Sequence, residues 1–166
     1  MQLPTVGQAR EYVGGLSNPS KMPGWGYSTP AEDCIMGSRL RKVAGSVCSG
    51  CYALKGNYIR YPAIKKAQYY RLASLVHDSW VTAMVAQVKR QKWCRWHDAG
   101  DVQSVEHMNK ILEVCRQTPL TRHWLPTQER RYLPSGNTVP NNLVIRLSGS
   151  KVDGPSPSAW PHTSSV

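Results

Sequence analysis

Three cysteines constrain this chain more than any other feature. Cys34, Cys48 and Cys51 stand in the spacing Cys-x13-Cys-x2-Cys. Two residues between Cys48 and Cys51 let the backbone wrap one corner of a metal site, and Gly50 is expected to relieve the turn. Zinc ribbons offer two such pairs, whereas this chain offers one pair and a single cysteine. Three thiolates with one open position suit a [4Fe–4S] iron–sulfur cluster whose fourth ligand is not a cysteine, or comes from outside. Zinc is the alternative. Cys94 and Cys115 read as small buried hydrophobes. Together with His97 they are the protein's candidates for the fourth position.

The charge pattern bears on the same segment. Lys and Arg number 21 against 10 Asp and Glu, a net charge of +11 with His neutral. No Asp or Glu occurs from Cys34 to His77, while eight basic residues do. Such a field is expected to lower the thiol pKa values and favour an anionic cluster. Arg39, Arg41, Lys42, Lys55 and Arg60 are the candidate contacts for a polyanion, with nearby tyrosines as stacking platforms, so nucleic acid is one candidate partner. No apolar run is long enough to span a bilayer, so no membrane partner is expected. The start Met1-Gln2-Leu3-Pro4-Thr5 lacks a basic head and an apolar stretch, so a cytoplasmic protein with reduced thiols is expected. The oligomeric state is open.

Periodicity places these residues on elements. Residues 1–33 are rich in Gly and Pro and read as loop. A helix is expected from Pro62 to about Val76, and a second after Asp78 as its cap. Trp93–His97 reads as a strand. Ser104 caps a third helix with Val105, Met108, Ile111, Leu112 and Cys115 on its apolar side, stopped at Thr118-Pro119. His123–Leu125 and Asn142–Leu147 read as strands. The order predicts one α/β domain over residues 1–150, with a small parallel or mixed sheet, flanking helices and a partial (βα)-barrel character. Residues 151–166 are Ser- and Pro-rich and read as a mobile tail.

In such sheets functional groups gather at the C-terminal ends of strands. His97, Asp98, Gly100 and Asp101 follow one expected strand, and Thr127 and Glu129 follow another. These six are the candidate site lining. No Gly-x-Ser-x-Gly, phosphate loop or His-Glu-x2-His zinc motif occurs, so the sequence decides neither for nor against an enzyme.

Three blocks carry a family resemblance. They are Gly24-Trp-Gly-Tyr-Ser-Thr-Pro-Ala31 running to Cys34, Gly45–Gly56, and Arg95–Ser104 continued by His123–Glu129. In these strings the chain resembles the phage-encoded gene product 88 family. The resemblance implies a small phage protein acting in a bacterial host. The layout is also similar to a shortened radical S-adenosylmethionine fold. That likeness implies a [4Fe–4S] cluster on Cys34, Cys48 and Cys51, with S-adenosylmethionine as a further cofactor and Gly100-Asp101 as the strand-end motif. The leading expectation is a phage-type iron–sulfur protein. The alternatives are a truncated radical enzyme, a zinc-stabilised nucleic-acid module, and an inhibitor that binds a host protein.

Overall fold

The computed structural model describes residues 2–166; Met1 lies outside them. The chain runs α1 (Val6–Val13), β1 (Trp25–Tyr27), α2 (Ile35–Leu40), α3 (Asn57–Arg60), α4 (Pro62–Ser74), α5 (Trp80–Val88), β2 (Trp93–Trp96), α6 (Val105–Gln117), β3 (Arg122–Thr127), β4 (Leu143–Ser148) and β5 (Thr163–Ser164). The five strands form one sheet in the order β1-β2-β3-β4-β5, every pair parallel. Strands laid down in sequence order without reversal form the arc of a (βα) barrel, whereas a doubly wound sheet reverses. The α/β class is as the sequence predicts. Among the described residues no helix is long and apolar enough to cross a membrane.

Local chemistry explains the helix starts. Ser104 Oγ accepts the His107 amide at 3.0 Å and caps α6. Pro62 begins α4, where its missing N–H costs nothing. Asp78 is not the cap of α5. Ser79 is the cap residue and makes no side-chain cap bond; its own amide donates to His77 Nδ1 at 3.1 Å. The first 33 residues hold more structure than their Gly and Pro content suggests. Thr5 and Gln8 form a reciprocal capping box on α1, with Gln8 Oε1 accepting the Thr5 amide at 2.9 Å.

The helices cover one face of the sheet. Ala9 and Val13 of α1, Trp80, Met84 and Val88 of α5, and Met108, Ile111 and Cys115 of α6 pack against Tyr27, Cys94, Trp96, Leu125 and Ile145. Val105 stays exposed, so the apolar stripe of α6 starts at Met108. The opposite face carries Trp93, Arg95, Arg122, Trp124, Val144 and Arg146 and has no helix over it. Residues 151–166, expected to be a mobile tail, pack onto the sheet instead. Trp160 Nε1 donates to the Ile145 carbonyl at 2.8 Å, and β5 pairs with β4.

Candidate metal centre

A parallel sheet puts the C-terminal ends of all its strands on one rim. The chain leaving β1 passes a single 3-10 turn (Ala31–Asp33) and reaches Cys34, the residue that precedes α2. After α2 it crosses the rim towards β4. Val47 N donates to the Ser150 carbonyl at 3.1 Å and Val152 N to the Gly45 carbonyl at 3.0 Å. It then returns through Cys48 and Cys51 to the loop after β2. There the Tyr52 hydroxyl donates to the Asp98 carbonyl, and the Tyr58 hydroxyl to Asp98 Oδ2 at 3.0 Å. The cysteine segment is therefore held to two other strand ends by hydrogen bonds its own sequence does not announce.

Cys34, Cys48 and Cys51 are free thiols, each half-buried. Gly37 lies between two of them. A side-chain carbon on Gly37 would sit 2.8 Å from Cys34 Cβ, 3.6 Å from Cys34 Sγ and 3.9 Å from Cys48 Sγ, so glycine lets the helix pack closely against both cysteines and the two sulfurs lie near one point. Among the described residues no three His, Cys, Asp or Glu side chains close on one point as they would around a single ion.

The electrostatics reverse the sequence expectation. The Cys48 thiol is pushed up to about 11, first by burial and then by Cys51 and Asp101. Burial raises Cys34 further still, with Asp101, the other two thiols and Glu129 adding to it. The acid-free segment does not protect its cysteines, because the acids arrive from the loops after β2 and β3. Most of its cations point elsewhere. Arg39, Lys42, Lys55 and Arg60 are exposed. Arg41 is a partial exception: it opposes the upward shift of Cys48 while donating to the Ala31 carbonyl at 3.0 Å. Arg71, from the same segment, is buried and donates to Ser28 Oγ at 2.8 Å and to the Gly15 carbonyl at 2.7 Å.

Glu129 is fully buried beneath α2. Its Oε1 accepts the Met36 amide at 2.5 Å, which fixes the helix that starts at Cys34. Its Oε2 makes no hydrogen bond and lies 3.6 Å from Arg131 Nε. Thr127 Oγ1 orients this turn by accepting the Glu129 amide at 2.9 Å and donating to Asp101 Oδ1 at 2.6 Å. Asp101 also accepts the Val102 and Gln128 amides, both at 2.8 Å. Burial lifts its carboxyl to about 6 against these hydrogen bonds. Asp101 is thus a pin between two strand ends. Gly100 has the same character: its φ is +77°, and a side-chain carbon there would meet the Thr29 carbonyl oxygen at 2.6 Å. Both residues of the Gly100-Asp101 pair thus hold the loop after β2 against neighbouring strand ends. Gly50 has no positive φ and no close neighbour, so the Cys48–Cys51 turn does not depend on it.

The candidates for a fourth ligand lie apart from the trio. Cys94 and Cys115 sit in the core under the sheet, Cys94 pushed up by burial to about 12. His97 leaves β2 with φ +56° and turns into the core, its ring 5.3 Å from that of His107 and its Nδ1 3.4 Å from Thr29 Oγ1. Burial lowers it to about 3. Asp98 instead borders a cavity of about 1210 Å³ beside the cysteine segment, together with Gly50, Tyr52, Tyr58, Arg71 and Arg95. Its Oδ1 is buried without a partner. Sequence reasoning missed Gly37; the only available signal was a small residue three positions after a cysteine in a short helix.

No curated protein and no solved structure matches the chain. Residues 3–162 match the protein family described as gene product 88. With nearly its whole length matched, the chain belongs to the gene product 88 family.

Proposed function

We propose that this chain holds a [4Fe–4S] cluster through Cys34, Cys48 and Cys51, with no cysteine at the fourth iron. The observation that supports this reading is the nearness of the Cys34 and Cys48 sulfurs, which lie 3.6 and 3.9 Å from one point beside Gly37 on the rim where the strands end. A single zinc needs its ligands about 2.3 Å from one centre. A cluster of four irons takes one thiolate at each corner, so three cysteines hold it and leave its fourth iron open. Such a cluster supplies one-electron chemistry, or a bare iron for an outside ligand, when bound. The chain's own residues position it. Glu129 anchors the α2 amide that follows Cys34, and Asp101 locks the β2 and β3 loops beneath the thiols. The centre would join the cysteine segment to the sheet, so it would also support the fold.

Anaerobic purification followed by iron, sulfide and zinc analysis tests the proposal. About four irons and four sulfides per chain are expected, falling to a small fraction in Cys51→Ala. One zinc per chain, or full iron content in Cys51→Ala, would overturn it. A second reading, a truncated radical enzyme using S-adenosylmethionine, is favoured by the cavity lined by Gly50 and Tyr52 on either side of Cys51. Reductive cleavage of that cofactor by the reduced protein is its test.

A further inference from the structure

Parallel sheets are ordinarily covered on both faces, and their strands then read as continuous apolar runs. Here one face is bare and its side chains alternate with the core. Trp93 pairs across the strands with Arg122, Arg95 with Trp124, and Pro126 with Arg146. Trp93 and Trp124 are 38% and 40% exposed, large values for tryptophan in a sheet. Each indole has a cation beside it. The Arg95 guanidinium lies 4.7 Å from the centre of the Trp124 ring, and Arg122 and Lys92 lie 5.7 and 5.8 Å from that of Trp93. The strand ends and loops at the base of this face form a concavity of about 890 Å³, and none of its described lining residues is acidic. Gly24, just before β1, packs tightly against Trp93, and Gly26 on β1 packs beside the Asp98 carboxylate.

We infer that this face binds single-stranded nucleic acid. The two indoles are diagonal neighbours on adjacent strands, about 7–8 Å apart at the backbone, which gives each one base to stack. Arg95, Arg122, Arg146 and Lys92 stand where phosphates would pass. The Met22 thioether, 3.3 Å from Arg95 Nη1, and the Thr163 carbonyl, 2.9 Å from Arg146 Nη1, hold two of these cations in place. A duplex keeps its bases stacked on one another and offers nothing to the tryptophans. A second copy of the chain seated on this face would bring two sets of these cations together with no acidic lining residue to pair them. The inference does not rest on the cluster: none of these residues touches the three cysteines.

The test is fluorescence anisotropy of a labelled 12-nucleotide mixed-sequence DNA strand, and of the same strand annealed to its complement. Each is titrated with the full chain over a salt series. The single strand should bind more tightly than the duplex and quench the tryptophan emission. Trp124→Ala should weaken binding about tenfold, the scale of one lost base stack. Arg122→Glu should weaken it and flatten the slope of log K against log salt by about 0.7, one phosphate contact. Arg60→Glu, on the exposed basic segment, should leave both unchanged. Circular dichroism shows that the variants keep the fold. Binding that follows Arg60→Glu rather than Trp124→Ala would overturn the inference, as would equal affinity for duplex. So would a dimer in sedimentation that Trp124→Ala dissolves, because the face would then join two copies.

Discussion

Gly37→Ala separates a metal site from an accidental gathering of thiols. Gly37 is helical, and alanine is ordinarily better there by about 1 kcal/mol. Against that, the new carbon would lie 2.8 Å from Cys34 Cβ. Carbon pairs rest at about 3.5–4.0 Å, so Cys34 must retreat by about 0.7 Å or more. Overpacking of this kind costs about 1–3 kcal/mol, leaving a net loss of about 0–2 kcal/mol in the metal-free protein. For a chain of this size that is a melting shift of at most about 8 °C. The effect on a bound centre is far larger. Metal–ligand distances tolerate about 0.2 Å, and the displaced residue is itself a proposed ligand. The new methyl group would also lie against both sulfurs, 3.6 and 3.9 Å away. Iron and sulfide per chain after anaerobic purification should therefore fall below half of the parent value, while the metal-free protein melts almost normally. Gly50→Ala, where nothing lies within 4 Å, should keep its full load. A Gly37→Ala protein with unchanged iron and sulfide would refute the argument, because the space between Cys34 and Cys48 would then hold nothing.

Two further predictions concern the fold that carries the site. Gly100→Ala combines a φ of +77° with a backbone oxygen 2.6 Å from the new carbon, so it should cost several kcal/mol; removing the Thr29 hydroxyl should not restore the melting temperature, because the carbonyl remains. Stability should also fall on acidification. His97 and His123 are lowered by burial to about 3 and about 4, and His107 is lowered too, so the unfolded chain takes up protons below about 6.5 that the folded chain refuses. Asp101, raised to about 6, works the other way: its contribution is present at low pH and is lost as pH rises through about 6. Between pH 6 and 4 three histidines oppose two carboxyls, Asp101 and Asp98, which burial also raises, a net uptake on unfolding of about one proton, or roughly 1.4 kcal/mol per pH unit. Urea titrations at pH 4.5, 5.5 and 6.5 should show stability rising with pH; a flat or inverted trend would contradict the burial of these rings.

What the sequence discloses about this chain depends on how far apart the interacting residues lie. The Ser104 cap, the proline at the start of α4 and the stripe from Met108 to Cys115 are short-range patterns, and the structure keeps them. The capping box at Thr5 and Gln8 is equally local, but the Gly and Pro that follow it obscure the helix. The surroundings of the cysteines are long-range. Asp101 and Glu129 lie 67 and 95 positions beyond Cys34, so an acid-free stretch of sequence becomes a rim with two buried carboxylates. Its positive field is a property of the segment and not of the site. The bare face shows the converse. Trp93, Arg95, Arg122, Trp124, Val144 and Arg146 alternate with buried Cys94, Trp96, His123, Leu125, Ile145 and Leu147. A strand buried on both sides has no use for that period of two. In a chain whose strands are all parallel, the alternation implies that one face meets something other than its own helices. Tryptophan and arginine at the outward positions give that face its aromatic and cationic character, the chemistry that suits it to unpaired bases.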